Sequence, residues 1–327
     1  MRNEARQYVI GFSALLVAGI AVAKDVTLTL DPAADSAFVI QDSQSNMLTT
    51  IWADGRVVAG GGGYDSVTST TLVNAAIAPF STVSGGLGNL VDSNAWYGTV
   101  GGGYYNGAYG LGAAVGGGVY NSALGAYGTV PGGVDSHASG DYSFAAGRGA
   151  VANHSGTFVW ADDTPAYIAS TADNQFVVRA SGGARFYSDT NATVGVRLAP
   201  GGTGWSGVSD RNLKENFTPV DNESLLTALN TIPMTTWNMK SQDDSIRHIG
   251  PMAQDFHAAF GVGEDNTHIS YSDANGVSLA AIQGLFQLLQ EQGAENRELR
   301  LAIERLEQRL SAIEAETNGA SSLSDFD

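Results

Sequence analysis

NGAYGLGAAVGGGVY (106–120), NSALGAYGTVPGGVD (121–135) and SHASGDYSFAAGRGA (136–150) are three consecutive stretches of fifteen residues that keep their landmarks in register. Ala108, Ala123 and Ala138 coincide, as do Gly110, Gly125 and Gly140, then Val115, Val130 and Ala145, then Gly117, Gly132 and Gly147. A looser unit of seventeen residues, Asn89–Tyr105, precedes them. A fixed short period signals stacked copies of one supersecondary unit, each covering the apolar face of the next. Fifteen residues are too few for a helical hairpin but hold two strands of about five residues with glycine turns between them. Ala and Val at the recurring positions then fill a narrow interior. Tyr127 and Tyr142 share one position of the repeat and are expected in the core. No Gly-x-y period is present, which excludes collagen. The reading is a glycine-rich β-roll or solenoid over 81–156.

The flanks extend this reading. Residues 24–80 alternate polar and apolar in places, as in Val26-Thr27-Leu28-Thr29-Leu30, and read as short strands. Thr157-Phe158-Val159-Trp160, Gln175-Phe176-Val177-Val178-Arg179 and Ala184-Arg185-Phe186-Tyr187 read as strands of a neck over 157–208, which ends in the turn-rich, exposed run Pro200–Val208. At the start, Arg2 and Arg6 precede an uncharged stretch from Tyr8 to Ala23 that closes Ala21-Val22-Ala23, the layout of a secretory signal peptide over 1–23. Its sixteen residues fall short of the roughly 20 that span a bilayer. The protein is therefore expected to be secreted or at the cell surface, by bacterial export, with no membrane span after signal removal.

Composition removes several functions. The chain of 327 residues carries a net charge of −17 and no cysteine, so disulfides are excluded, and nucleic acid, which is gripped by clustered Lys and Arg, is not an expected partner. Residues 24–208 hold thirteen Asp, no Glu and six Lys or Arg, while almost all the Glu lies after Ser209, a break that separates two modules. Gly85-Gly86-Leu87-Gly88-Asn89-Leu90 is glycine-rich but lacks the Gly-Lys-Ser/Thr ending and strand-loop-helix context of a phosphate cradle. The five histidines, at 137, 154, 248, 257 and 268, show no metal-ligand spacing. No cofactor or metal is expected.

After Ser209 the sequence changes character. Ser209 and Lys214 stand five residues apart. A serine hydroxyl is a poor nucleophile until a base takes its proton, and a lysine held away from water serves as such a base. Spacing alone does not decide this, since any chain offers such pairs. From Ile282 a heptad places Ile282, Leu289, Asn296, Ile303 and Leu310 at one core position and Leu285, Gln292, Leu299, Leu306 and Ile313 at the other, a coiled coil over 282–316 of two to four strands. Its polar layers, Gln292 and Asn296, fix register and strand number at a cost in stability. Residues 317–327 read as a disordered tail.

Two resemblances follow from these residues. Ala108-Tyr109-Gly110, Ala123-Leu124-Gly125 and Ala138-Ser139-Gly140 make residues 80–155 resemble the head of trimeric autotransporter adhesins, which implies a left-handed β-roll packed in threes. The membrane barrel that anchors those proteins does not follow here, so a self-anchored autotransporter is not expected. Ser209-Asp210-Arg211-Asn212-Leu213-Lys214, then Leu225, Leu229, Ile232 and Trp237, then His248-Ile249-Gly250-Pro251-Met252-Ala253-Gln254-Asp255, then Ile269-Ser270-Tyr271, resemble the C-terminal intramolecular chaperone of endosialidases and phage tailspikes. Pro251 departs from the aromatic or aliphatic residue usual there. This resemblance covers about 207–315. It implies a small α+β chaperone domain over 209–281, a homotrimer with a three-stranded coiled coil, and a single-turnover serine peptidase acting on itself, without activity on external substrates. Ser209 is then the nucleophile and Lys214 the base, cutting between Val208 and Ser209. Asp210, Arg211, Asn212 and His248 are candidate supporting residues. The whole reads as a mainly β protein with an α-helical C-terminal part, adhesin- or fibre-like, its head directed at surface carbohydrate or a cell-envelope ligand. The alternatives are a tailspike-like glycan-degrading enzyme or a prophage tail fibre with the same chaperone.

Overall fold

The computed structural model describes residues 37–41, 47–59, 63–65 and 70–321. The expected signal peptide, 1–23, lies outside them, as do residues 322–327 of the expected tail. The described residues fall into two compact units. One ends at Ser188 and takes in Val196–Ser206; the other comprises Asp189–Gly195 and the residues from Gly207 onward.

In the first unit two parallel sheets form a solenoid. One has seven strands, in the order Ala75–Ala76, Leu90–Val91, Gly107–Ala108, Ser122–Ala123, His137–Ala138, Ala150–Ala152 and Ile168–Ala169. The other has eleven, and its parallel run passes through Val57–Ala59, Thr82–Val83, Thr99–Val100, Ala114–Val115, Thr129–Val130, Phe144–Arg148, Phe158–Ala161 and Phe176–Arg179. An antiparallel pair, Ala37–Gln41 and Met47–Trp52, continues that sheet at one end. The repeat's landmarks are paired rung on rung: Ala108 with Ala123, Ala123 with Ala138, Val115 with Val130. The parallel ladder also continues past residue 156, through Phe158–Ala161 and Phe176–Arg179.

Two narrow columns face each other inside. Val83, Val100, Val115, Val130 and Val159 come from one sheet, and Val91, Ala108, Ala123, Ala138 and Ala152 from the other. Each buried valine contributes about 1.5–3 kcal/mol. The strands are mostly two residues long rather than the expected five, because a coil of fifteen residues must turn repeatedly to return to its start.

Tyr127 and Tyr142 are not in the core. They are 49 % and 69 % exposed. Each sits at a turn with a left-handed backbone, φ +57° and +55°, and each amide donates to a carbonyl of the preceding coil, Leu111 and Ala126 respectively. That backbone directs the side chain outward. It costs about 1–2 kcal/mol for a residue with a Cβ. The two rings stack at 5.3 Å with an interplanar angle of 11°, which offsets part of the strain.

Inside, the polar groups are also in register. Asn74, Asn89, Asn106 and Asn121 occupy one buried column. The Oδ1 of each accepts the backbone N–H of the next, at 3.0 Å in each step, and the last step ends on Ser136. The Nδ2 of Asn106 donates to Gly102 O and Gly118 O, at 2.8 Å each, and Asn121 repeats this on Gly117 O and Gly133 O. The ladder steps over seventeen residues between Asn89 and Asn106 without a break. The two extra residues are absorbed in an outer turn, where Trp96 and Tyr97 are exposed.

Coils stacked this tightly leave no room beside certain carbonyls. A Cβ on Gly118, whose φ is +94°, would lie 2.1 Å from Gly133 O. At the far end of the solenoid Arg179 acts as a staple. Its guanidinium pairs with Asp162 at 2.8 Å and donates to the carbonyls of Ala166, Thr164 and Arg148. The Ser181 backbone amide, then Arg179, hold the Asp162 carboxyl far below the usual carboxylate range.

In the second unit, helix α1 (Asn222–Thr231) starts on the Asp221 carboxylate, which accepts the amides of Glu223 and Ser224. A two-stranded antiparallel sheet, Thr235–Trp237 with His248–Gly250, follows. Helix α2 (Ala253–Phe260) ends at Gly261 in the left-handed conformation. Helix α3 (Tyr271–Ser321) is 51 residues long, and α1 packs on it where Gly284 lets Leu226 and Asn222 approach. The α3 residues of the heptad seam are exposed in the single chain, Ile282 at 63 % and Leu306 at 60 %. Among the described residues no helix is long and apolar enough to cross a membrane.

Two outcomes follow for stability. Gly118→Ala is expected to lower the thermal midpoint of the full chain by the equivalent of at least about 2 kcal/mol, whereas Gly204→Ala, where a Cβ meets nothing within 4 Å, is expected to be near neutral. Asp162 is ionised more easily folded than unfolded, so its stabilising effect is present above the ordinary carboxylate pKa of about 3.9 and fades as pH falls below it. Melting curves should show Asp162→Asn less stable than wild type at pH 7, with the gap closing as the pH is lowered through about 4.

Candidate active site

The chain reaches the site from strand Trp205–Gly207. The Val208 amide then donates to Gly195 O at 3.0 Å, which holds the backbone just before Ser209. Asp210 folds the next residues: its Oδ1 accepts from the Asn212 backbone amide at 2.9 Å and from the Asn212 side chain at 3.0 Å. Short polar side chains at such positions favour turn initiation over extended chain. The result is a single 3-10 turn, Arg211–Leu213, closed by Leu213 N to Asp210 O and Lys214 N to Arg211 O, both 3.2 Å.

This turn reverses the chain enough for Lys214 to reach back. Its Nζ donates to Ser209 Oγ at 2.6 Å. Arg211 takes another direction, its guanidinium lying over the Phe217 ring at 5.8 Å, within cation–π reach. Asn216 adopts a left-handed backbone, φ +57°, that ends the turn segment. Asp210 and Asn212 thus shape the loop, and Arg211 braces it from one side. Val208, Ser209 and Lys214 are all exposed in the single chain.

His248 has other partners. Its Nε2 meets Gln242 Oε1 at 3.0 Å, and its ring lies 4.9 Å from that of Trp237 on the neighbouring strand. These contacts tie the two-stranded sheet together. They are those of a structural histidine, and none of its described partners is Ser209 or Lys214.

A lysine amine within hydrogen-bond distance of a serine hydroxyl, on the residue that follows an exposed peptide bond, can in its neutral form take the proton of the nucleophile as it attacks. Residues 209–262 match the model of the peptidase S74 family, the chaperone of endosialidase. The matched segment contains Ser209, Asp210, Arg211, Asn212, Lys214 and His248, together with α1, the two-stranded sheet and α2. Helix α3 lies beyond the match. No curated protein matches the chain, and no solved structure does.

Proposed function

We propose that the C-terminal segment is an intramolecular chaperone that gathers three chains and then releases itself by cutting between Val208 and Ser209. The observation that carries this reading is the 2.6 Å contact of Lys214 Nζ with Ser209 Oγ inside the chaperone segment. Lys214 takes the hydroxyl proton while Ser209 Oγ attacks the Val208 carbonyl carbon. The peptide nitrogen leaves with a proton, the amide becomes an ester, and water hydrolyses the ester.

The exposure of both groups in one chain agrees with a reaction that waits for assembly. A lysine acts as a base where loss of water favours its neutral form, and partner chains covering the dyad supply that. The heptad seam of α3, exposed throughout, gives the means of recruiting them. Bringing three chains together lowers the barrier to pairing that is non-local and slow. Removing the chaperone afterwards leaves the head kinetically trapped. The sequence of residues 1–23 and the stacked solenoid support an exported, adhesin- or fibre-like head, with surface carbohydrate or a cell-envelope component as its ligand.

Mass spectrometry of the expressed protein tests the cut. Wild type is expected to yield a fragment ending at Val208, and Ser209→Ala and Lys214→Ala are expected to stay at full length. A folded wild-type trimer that remains uncut refutes the reading. Assembly dependence is tested by Leu299→Lys with Leu306→Lys, which places charges in the seam. This double variant should sediment as a monomer and stay uncut although Ser209 and Lys214 are intact; efficient cutting by a monomer would separate the peptidase from assembly.

A further inference from the structure

The solenoid carries a second hydroxyl with a base. Ser122 and His137 are paired residues of adjacent coils, their side chains projecting from the same sheet face. Ser122 Oγ lies 2.6 Å from His137 Nδ1, and His137 Nε2 lies 3.2 Å from Asp135 Oδ1. The other Asp135 oxygen accepts a hydrogen bond from the Tyr167 hydroxyl. That bond pushes the Tyr167 phenol above its ordinary pKa, which keeps it a donor.

Each member is held by the fold rather than by chance contact of long side chains. Ser122 and His137 sit one rung apart in a parallel ladder. Asp135 occupies a left-handed turn position, φ +57°, with its amide tied to Val119 O. Its backbone therefore aims the carboxylate at the imidazole two residues on. With the ring proton on Nε2, directed at Asp135, the Nδ1 lone pair faces the Ser122 hydroxyl. Serine, histidine and carboxylate in this order form a proton relay that is recognised by geometry and not by sequence order. The histidine and aspartate side chains remain 30 % and 42 % exposed, so a substrate reaches them without opening the fold.

We propose that Ser122, His137 and Asp135 form a nucleophilic site on the head, taking small carboxylic esters with good leaving groups. Ser122 Oγ attacks the ester carbonyl carbon and passes its proton to His137 Nδ1. The alkoxide leaves with that proton, giving an acyl-Ser122 and an alcohol. Water, deprotonated by the same nitrogen, then attacks the acyl group, releasing a carboxylic acid and restoring Ser122. Asp135 stabilises the transient imidazolium and fixes the ring. The restriction to good leaving groups comes from the backbone. The Ser122 amide donates to Ser136 O at 2.9 Å and is unavailable to an oxyanion, and one such donor is worth about 10²–10³ in rate.

Incubation of the full-length chain with a fluorophosphonate probe, followed by peptide mass spectrometry, tests the assignment. An adduct on Ser122 is expected. It should be absent in Ser122→Ala and should form about 10²-fold more slowly in His137→Gln, with 4-nitrophenyl acetate hydrolysis falling in parallel. A folded wild-type chain that gains no adduct on Ser122 overturns the proposal. So does an adduct that forms equally fast in His137→Gln.

Discussion

The column Asn74, Asn89, Asn106, Asn121 sets the terms for the head. The side-chain carbonyls of Asn74, Asn89 and Asn106 receive the next asparagine's amide and that of Asn121 receives Ser136's, while the side-chain amides of Asn89, Asn106 and Asn121 each donate to two glycine carbonyls, one four residues earlier and one in the next layer of the stack. Burying such groups unpaired costs about 1–3 kcal/mol apiece, so no coil can shift or twist against its neighbour without losing several bonds together. The glycines that flank the column exist because the carbonyls come so close. Alanine and valine inside are the remaining consequence, since an interior bounded by two such rungs has no width for larger side chains. The coils that carry these asparagines thus share their obligations, and each meets them through its immediate neighbours.

A stack of this kind needs its ends closed. At one end the antiparallel strands Ala37–Gln41 and Met47–Trp52 cover the edge of Val57–Ala59 in the eleven-stranded sheet. At the other, beyond the rungs where Ser136 takes the asparagine position, Arg179 gathers three carbonyls and a carboxylate. The second unit is organised differently. Its helices enclose a modest core, and the long helix α3 continues with its apolar seam uncovered. One part of the chain covers its apolar side chains with its own coils, and the other leaves an apolar seam exposed.

The solenoid was legible because its period is short and its landmarks are chemically simple: Ala108, Ala123 and Ala138 align in sequence and stack in space. Strand length was not, because the left-handed turns that interrupt each coil are made by tyrosine and aspartate as well as glycine, and nothing in a tyrosine announces a positive φ. Tyr127 and Tyr142 were placed inside on hydrophobicity when their backbone turns them out. The asparagines, whose role sequence spacing did not reveal, form the buried spine. In the tail, Ser209 and Lys214 were singled out only through their motif, while the 3-10 turn that brings them together is written locally in Asp210 and Asn212. His248 was grouped with them by proximity in the motif and is bound to Gln242 and Trp237. Ser122, His137 and Asp135 went unnoticed because their relation appears only when the repeats are laid one over another.

The unbroken step from Asn89 to Asn106 has a further meaning. A coil two residues longer than its neighbours was accepted by letting the surplus loop outward, with the spine unaltered. Whole coils are then as tolerable as surplus loops. Duplicating one fifteen-residue segment of the gene would extend the head by one rung, about 4.8 Å, without asking anything new of either end. The length of the solenoid becomes a quantity that lineages can tune by copy number, independently of the second unit.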